Sequence, residues 1–484
     1  MIAALIRLDL ALLRRSKAFW LLIALLSAAA ALALVSGLDW RARYLGAADA
    51  AREQVAADRK VLIEVYDGLA AGTGQPTNVD TYDGKTPFVP DPRDPYVEGF
   101  YHTRLAELPA GPLLGLATGS SELRATHHVI KTVPIVALMR IGEPAERVNP
   151  GALAAGRFDL LAFIMFLCPL ALVALLFDAC AREREAGLAP LLAGLGAGRR
   201  ELLLARGITR GGAVLAVAMI ASVAGIALVG ALGSAAALWW LAGVAAYLAM
   251  WTALLLLVAS SGLSVIGSAA ITVSLWVALL LLSPGMVERT LRPSGLIEPR
   301  ALAEAEVRTV IREATASDAA RAAAKQRVAE QYWAIDFATA PACADREGVL
   351  SEYVERRLSD ESYKAAMLNG AAREALYDAR LDQWSWLSPA LAFRRAMETV
   401  AGTDPARQRA FEAQVFGYHA AVRGRVTDAI FACRSFDRAA FEAAPGFTYS
   451  EPDRGVAGWS GIVLAGGLAL LLAALALRRR PLFA

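Results

Sequence analysis

The residues of this chain that could bind a nucleotide phosphate are few. A phosphate-binding loop needs the pattern G-x-x-x-x-G-K-[ST], because its backbone amides surround the phosphates. Gly84, Lys85 and Thr86 match the end of that pattern, but Val79 stands where its first glycine belongs. We therefore predict that this chain has no ATP site and hydrolyses no ATP by itself.

Histidine and cysteine offer equally few candidates for metal or nucleophilic chemistry, since the chain has four of each. His127 and His128 are adjacent, but no H-E-x-x-H motif and no carboxylate at ligand spacing accompany them. No G-x-S-x-G nucleophile motif occurs either. We predict no catalytic, metal-binding or cofactor-binding residue in this chain, and surface or packing roles for the two histidines.

One segment concentrates the residues that could bind a partner protein: residues 181–210, AREREAGLAPLLAGLGAGRRELLLARGITR. Leu188, Leu191, Leu192 and Leu195 recur at helical spacing, which predicts a short helix with one apolar stripe. Charged residues flank this helix, namely Arg182, Glu183, Arg184 and Glu185 before it and Arg199 and Arg200 after it. Such a helix fits a groove on a partner protein. The alternative is a basic loop at the membrane surface without a partner.

Long uncharged stretches predict the elements that hold this segment. The sequence is 56% hydrophobic and 20% charged, whereas soluble domains are about a quarter charged. Six stretches are long enough to cross roughly 30 Å of hydrocarbon, which takes about 17–25 helical residues. They are residues 18–37, 160–177, 211–232, 235–258, 263–283 and 457–477. We predict an all-α polytopic membrane protein with six transmembrane helices.

Two local features predict how these helices pack. Pro169 lies in the middle of the second stretch, where it predicts a kink and leaves a carbonyl for a neighbouring helix to satisfy. Gly207 and Gly211 have the four-residue spacing that permits close helix packing at the start of the third stretch.

Arginine and lysine near the span ends predict the orientation of the chain. They cluster before the first stretch, in segment 179–210 and after the sixth stretch, so both termini and this segment are predicted to be cytosolic. The first 17 residues predict an amphipathic helix at the cytosolic interface, with Asp9 interrupting its pattern. Its basic face holds Arg7, Arg14, Arg15 and Lys17.

The two long loops then form extracytoplasmic insertions that are mainly helical. Residues 39–71 extend the first span outward, and residues 298–332 and 347–382 predict helices in the second loop. A further helix begins at Ser388 and Pro389 and ends at Gly402. The tryptophans just before it suit either the outer membrane boundary or a protein core. The predicted parts are 1–37 (interfacial helix and first span), 38–157 (first outer domain), 158–283 (spans two to five), 284–456 (second outer domain) and 457–484 (sixth span and basic tail).

Two of the cysteines could form a disulfide. Cys343 and Cys433 both fall in the second outer domain, whereas Cys168 and Cys180 lie in or just inside the membrane. Two cysteines together in an oxidising compartment predict a disulfide between them. The alternative is that both are free and buried.

The leucine stripe and its charged flanks also carry a family resemblance. Residues 183–187 (EREAG), the stripe, and residues 199–203 (RRELL) resemble the pattern that follows the second span of type-2 ABC transporter permeases. Residues 157–159 (RFD) and 177–178 (FD) are similar to the second span of that family, although Leu188 stands where the family usually has Thr or Ser. Residues 384–415 resemble a bacterial subgroup with two large extracytoplasmic loops.

The resemblance implies that this chain is the permease subunit of an ABC transporter in a bacterial cytoplasmic membrane. Its partners would be two cytosolic ATPase subunits, which bind ATP and Mg, and a second copy of this permease or a related one. The residues implied to couple the ATPase are Arg182, Glu183, Arg184, Glu185, Gly187, Leu188, Leu191, Leu192, Leu195, Arg199 and Arg200.

Composition and net charge argue against two other classes of function. The six stretches contain no charged residue, which argues against coupling to an ion gradient, and a net charge of +3 is too small to suggest nucleic acid. Two alternatives stay open. One is an ATP-driven mechanical device that acts on a periplasmic partner protein without moving a substrate across the membrane. The other is a membrane-anchored scaffold with no energy source.

Overall fold

The computed structural model describes residues 1–73, 91–122, 125–135, 157–194, 198–291, 299–332, 346–452 and 460–477. Among these residues the chain is almost entirely helical. Five helices are long and apolar enough to cross a membrane: Lys17–Ala70, Leu160–Glu185, Arg199–Leu228, Ala235–Ala259 and Val265–Leu291. They indicate an α-helical multi-pass membrane protein.

Most of these long helices consist of several consecutive pieces, and three contain a π-helical turn. The pieces are α2 (Lys17–Ala70), α4 (Leu160–Ala162), the π-turn Phe163–Leu167, α5 (Cys168–Leu176), α6 (Ala181–Glu185), α8 (Arg199–Arg206), the π-turn Gly207–Gly211, α9 (Gly212–Leu228), α10 (Ala235–Ala259), α11 (Val265–Val277), the π-turn Ala278–Leu282 and α12 (Ser283–Leu291). Two short helices lie outside them: α1 (Ile2–Arg15) before the first and α7 (Ala189–Gly194) between the second and the third.

The remaining elements are mainly helical. They are α3 (Pro95–Tyr101), β1 (Arg104–Glu107), the 3-10 turn Gly119–Glu122, β2 (His127–Ile130), α13 (Pro299–Ala314), α14 (Asp318–Tyr332), α15 (Arg346–Trp384), the 3-10 turn Ser385–Leu387, α16 (Pro389–Ala401), α17 (Pro405–Phe431), α18 (Arg438–Glu442) and α19 (Ser460–Ala476). Strands β1 and β2 pair antiparallel, with Arg104 opposite Ile130.

The helix α19 corresponds to the sixth predicted span, residues 457–477. Its 17 described residues make it shorter than the five long helices. It packs along α10, where a Cβ added at Gly466 would lie 3.9 Å from the Cβ of Ala246. Ala465 and Ala469 join the same buried core as the other apolar helices. The count of six spans stays a prediction.

A π-helical turn precedes Pro169, where the sequence predicts a kink, and another helix bonds the carbonyl that the proline leaves free. Pro169 has no N–H to donate to the carbonyl of Met165, four residues earlier. The π-turn Phe163–Leu167 precedes the proline, and the hydroxyl of Tyr247 in α10 donates to the Met165 carbonyl at 3.1 Å. The freed carbonyl is therefore satisfied by a neighbouring helix, as predicted.

The helix α16 begins and ends as predicted but packs among the long apolar helices. The Ser388 hydroxyl accepts from the Leu391 amide, and Gly402 ends the helix with a φ of 73°. The ring of Phe393 stacks on Tyr247 with centroids 4.1 Å apart. Ser283, near the end of the fifth long helix, hydrogen-bonds Ser388 at 2.8 Å. Trp384 and Trp386, just before α16, are exposed, so they are not core residues.

The two loops that the sequence predicts as separate outer domains share one hydrophobic core. Ala106 and Ile130 of the first loop pack with Phe411 and Val415 of α17 in the second. The sheet that the described part of the first loop forms has two strands, and a two-stranded sheet needs a partner layer to be stable. We call this combined part, residues 91–108, 125–135, 299–332, 346–382 and 403–450, the second body.

A buried polar cluster joins the two loops within the second body. Arg423 pairs with Asp360, and the Asp360 carboxylate accepts the backbone amide of Ile135 at 2.6 Å. Burial raises the pKa of Asp360 to about 6, although Arg423 opposes this shift. Burial and the nearby Arg423 lower the pKa of His419 to about 3. At neutral pH the aspartate is thus ionised, and the neutral imidazole donates to Val133 at 3.0 Å.

We expect Phe393→Ala to lower the stability of the whole chain. Phe393 is fully buried, so the truncation removes its stacking on Tyr247 and leaves a cavity, which costs about 3–5 kcal/mol. The melting temperature of the detergent-purified protein measures this loss. The matched control Trp386→Ala removes an exposed aromatic ring three residues before α16 and should change the melting temperature little. Equal shifts for the two variants would contradict the packing of α16 described above.

Candidate functional site

The segment with the leucine stripe begins at a sharp turn that Gly187 makes possible. The Leu188 amide donates to the Glu183 carbonyl at 2.8 Å, and the Gly187 amide donates to the Arg184 carbonyl at 3.1 Å. Gly187 has a φ of 69°, which completes the Schellman motif that ends α6. Glycine adopts this left-handed conformation without the steric cost of a Cβ. The chain therefore leaves α6 abruptly and presents Leu188 just before α7.

The leucine stripe is divided between the protein surface and its interior. Leu188 is 47% exposed and Leu191 is 66% exposed. Leu192 instead packs inward, against Leu5 of α1 and Ala205 of α8. Leu195 lies outside the described residues. Of the described leucines, Leu188 and Leu191 are therefore the two that a partner could cover.

The acidic and basic residues of α6 tie the segment to other helices. Glu183 pairs with Arg206 at the start of the third long helix. Arg184 donates to the Leu263 carbonyl, and the Glu185 carboxylate accepts the Val265 amide at 2.8 Å. These two contacts hold the beginning of the fifth long helix. Three of the predicted coupling residues thus have structural partners in the same chain.

The remaining predicted residues lie at the surface or near it. Arg182 is exposed and lies 3.7 Å from Asp178. Arg200 is exposed, and Arg199 is partly buried at the start of α8, where Gly198 is the N-cap. Exposed arginines therefore stand on both sides of Leu188 and Leu191 in the sequence.

A buried ionic network beside this segment was missed by the sequence reasoning. The Asp9 carboxylate of α1 pairs with Arg210 at 3.1 Å and accepts the Thr209 hydroxyl, and Arg206 lies 3.8 Å from it. Arg210 also reaches Asp178 at 3.1 Å. We call Asp9, Asp178, Glu183, Arg206 and Arg210 the ionic joint. The available signal was Asp9 itself, an acid that interrupts the apolar face of α1.

The ionic joint connects three parts of the chain that are far apart in sequence. Asp9 belongs to α1, Asp178 and Glu183 lie near the end of the second long helix, and Arg206 and Arg210 lie in the first part of the third. All five side chains are largely buried. Separating a buried ion pair leaves an uncompensated charge in a medium of low dielectric constant. The helix ends around segment 178–210 are therefore held as one unit.

The predicted close approach at Gly207 and Gly211 is present. A Cβ at Gly207 would lie 2.9 Å from Leu256 Cδ1, and one at Gly211 would lie 2.9 Å from Thr252 Cγ2. Both neighbours belong to α10. The third and fourth long helices are therefore in close contact next to the ionic joint.

The sequence also raised a metal site, a disulfide and a phosphate-binding loop as candidates. The described residues contain no group of three or more His, Cys, Asp or Glu side chains that could hold a metal. His128 is buried and stacks on Phe411. Cys433 is disulfide-bonded, but Cys343 lies outside the described residues, so their pairing stays a prediction. Residues 84–86, which resemble the end of a phosphate-binding loop, also lie outside them.

One part of the chain matches a known domain family. Residues 300–450 match a domain of unknown function, DUF3526. No curated protein and no solved structure matches the chain. The matched region covers most of the second body and α16, and it includes neither segment 178–210 nor the five long apolar helices.

We expect Asp9→Asn to destabilise the helix ends around segment 178–210. The substitution removes one carboxylate from between Arg206 and Arg210, and disrupting a buried ion pair costs about 3–5 kcal/mol. Thermal unfolding and limited proteolysis of the purified protein would measure the effect. The control Asp49→Asn changes an exposed ion pair with Arg52 and should leave both readouts unchanged. An Asp9 variant as stable and protease-resistant as the control would show that the network contributes nothing.

Proposed function

We propose that this chain is the permease subunit of an ATP-driven ABC transporter in a bacterial cytoplasmic membrane. The observation that carries this proposal is the pair of exposed leucines, Leu188 and Leu191, on a short segment that ion pairs and hydrogen bonds join to three long apolar helices. A surface of this kind suits docking by an amphipathic helix into a groove. The resemblance of residues 183–187 and 199–203 to type-2 permeases supports the same reading.

In this proposal the chain crosses the membrane six times with both termini in the cytosol. Loops 38–157 and 284–456 then lie outside the cytoplasm, and α19 is part of the sixth span. The basic residues near segment 179–210 and both termini support this orientation. Two cytosolic ATPase subunits bind ATP and Mg, and a second copy of this permease or a related one completes the complex.

The proposed mechanism is mechanical at its first step. An ATPase subunit that binds Leu188 and Leu191 moves α7 when the subunit changes conformation on binding ATP. Because Glu183 holds Arg206 and Glu185 holds the Val265 amide, that movement is passed to the third and fifth long helices. The ionic joint adds α1 to the moving unit. In this proposal the chain transmits the movement of the ATPase and contains the transport path, and it hydrolyses no ATP.

A second candidate function is an ABC-driven device that acts on a periplasmic partner without moving a substrate. The observation that favours it is α2, which continues without a break for 54 residues. At about 1.5 Å per residue this helix is roughly 80 Å long, far more than a bilayer requires. Near its end, Tyr66 donates to the Pro92 carbonyl at 2.6 Å and packs on Phe441. Movement at the ionic joint could thus reach the second body directly.

We expect Leu191→Asp to abolish binding of the ATPase while leaving the chain folded. Leu191 is 66% exposed, so a carboxylate there is harmless in the free permease, but docking would bury it unpaired at a cost of several kcal/mol. Co-purification of the ATPase in mild detergent measures the loss. The matched control is Leu376→Asp in α15, which is 63% exposed and distant in sequence from the segment. It should leave co-purification unchanged.

The other outcomes separate the candidate functions. If Leu191→Asp retains the ATPase and its coupled hydrolysis, the segment is a basic surface loop and the coupling assignment is wrong. If the unaltered chain brings down no protein with a phosphate-binding loop, it is a membrane-anchored scaffold. If ATP is hydrolysed in proteoliposomes but no small molecule crosses the membrane, the mechanical device is correct.

A further inference from the structure

The helix α1 uses one face to bind the rest of the protein. Leu5, Asp9 and Leu13 are its buried residues. Leu5 packs on Ala205 of α8, and Asp9 lies in the ionic joint. These residues are four apart and so lie along one side of the helix. The orientation of α1 about its own axis is therefore fixed.

That orientation leaves an apolar strip and a basic strip exposed. Met1, Leu8 and Leu12 are exposed large apolar residues that lie beside the buried face at 100° per residue. Arg7 and Arg14 are exposed opposite the buried face. Arg15 is exposed next to Leu8, and the exposed Leu10 lies next to Arg14. An amphipathic helix with an apolar edge and a basic face is the kind that lies in the headgroup region of a membrane.

The exposed charge of this helix is entirely positive. Asp9 is the one acidic residue among the first 38, and it is buried against Arg206 and Arg210. Its negative charge therefore cannot offset the exposed arginines or Lys17. A surface that carries cations without an exposed acid complements anionic phospholipid headgroups, which attract each nearby Lys or Arg.

The connection to α2 keeps α1 at the level of the membrane surface. Ser16 alone separates the two helices, and its hydroxyl caps α2 by accepting the Phe19 amide at 3.2 Å. The indole of Trp20, which is exposed, donates to the Arg14 carbonyl at 3.0 Å. Tryptophan is enriched at membrane interfaces, so these contacts place the arginines near the headgroups.

We propose that α1 is a docking surface for anionic phospholipids of the adjacent leaflet. The apolar strip with Leu8 enters the region between headgroups and acyl chains, and Arg7, Arg14 and Arg15 bind the phosphates. Because Asp9 links α1 to Arg206 and Arg210, the lipid surface also supports the ionic joint. This inference goes beyond the proposed function and needs no ATPase.

The test uses the full-length chain in lipid nanodiscs made of phosphatidylcholine with or without phosphatidylglycerol. A nitroxide on Leu8→Cys reports its depth through its accessibility to oxygen and to a neutral nickel complex, and the unsubstituted chain corrects for labelling of native cysteines. We expect the label to lose accessibility to nickel and gain accessibility to oxygen when phosphatidylglycerol is present. Each exposed cation should contribute roughly fivefold to this partitioning.

The matched variant replaces Arg7, Arg14 and Arg15 with glutamine in the same labelled chain. These side chains are exposed, so the fold should be retained, while the response to phosphatidylglycerol should be lost. Equal accessibility of Leu8→Cys in both lipids would overturn the proposal, and so would an unchanged response in the glutamine variant. Protection that appears only when an ATPase is added would identify an acidic protein surface as the partner instead.

A second label separates this inference from the proposed function. A nitroxide on Leu191→Cys should remain accessible to the nickel complex in both lipids, because Leu191 is assigned to a protein groove. If that label enters the lipid, the coupling assignment is wrong while the result at Leu8 still stands. If the Leu8 label ignores lipid charge and the Leu191 label stays in water, the lipid proposal alone is wrong.

Discussion

The buried guanidinium groups of Arg206 and Arg210 impose the constraint on which the arrangement of the helix ends depends. A charge in a medium of low dielectric constant is stable only when an opposite charge and hydrogen-bond acceptors surround it. Asp9 of α1 and Asp178 and Glu183 of the second long helix supply those charges. No single helix propensity would bring α1 against α8 in this register. The ion pairs therefore hold α1 against the segment whose exposed leucines are Leu188 and Leu191.

A second constraint acts within the apolar helices, where every backbone polar group needs a partner because no water is available. Pro169 leaves the Met165 carbonyl without its helical donor, and Tyr247 supplies one. Tyr247 is then fixed in place, and Phe393 stacks on it. One proline thus determines a contact between α10 and α16, which is part of the region that connects the long helices to the second body. Here a hydrogen bond to a backbone carbonyl fixes Tyr247, and Tyr247 in turn supplies the ring on which Phe393 packs.

Local rules predicted much of this structure, and long-range partners account for what they missed. The long apolar helices, the cap at Ser388, the end at Gly402 and the satisfied carbonyl before Pro169 follow from residue types over one or two helical turns. The ionic joint does not, because Asp9 and Arg210 are 201 residues apart in sequence. The same reason applies to Leu192, which helical spacing places on one stripe with Leu191 but which Leu5 covers. The shared core of the two loops likewise depends on contacts that no local pattern reports.

The two candidate functions share their first step but require opposite behaviour of the contacts that α16 makes. Both begin when a cytosolic ATPase moves the segment that carries Leu188 and Leu191. A substrate path between α10 and α16 would have to pass the stacked rings of Phe393 and Tyr247, so transport by that path would require the two rings to separate. A mechanical device requires the reverse, because the bond between Ser283 and Ser388 and the stacked rings offer a second connection, besides α2, from the long helices toward the second body. The two functions therefore differ in what they require of the contacts between α16 and the long helices, more than in what they require of the coupling segment.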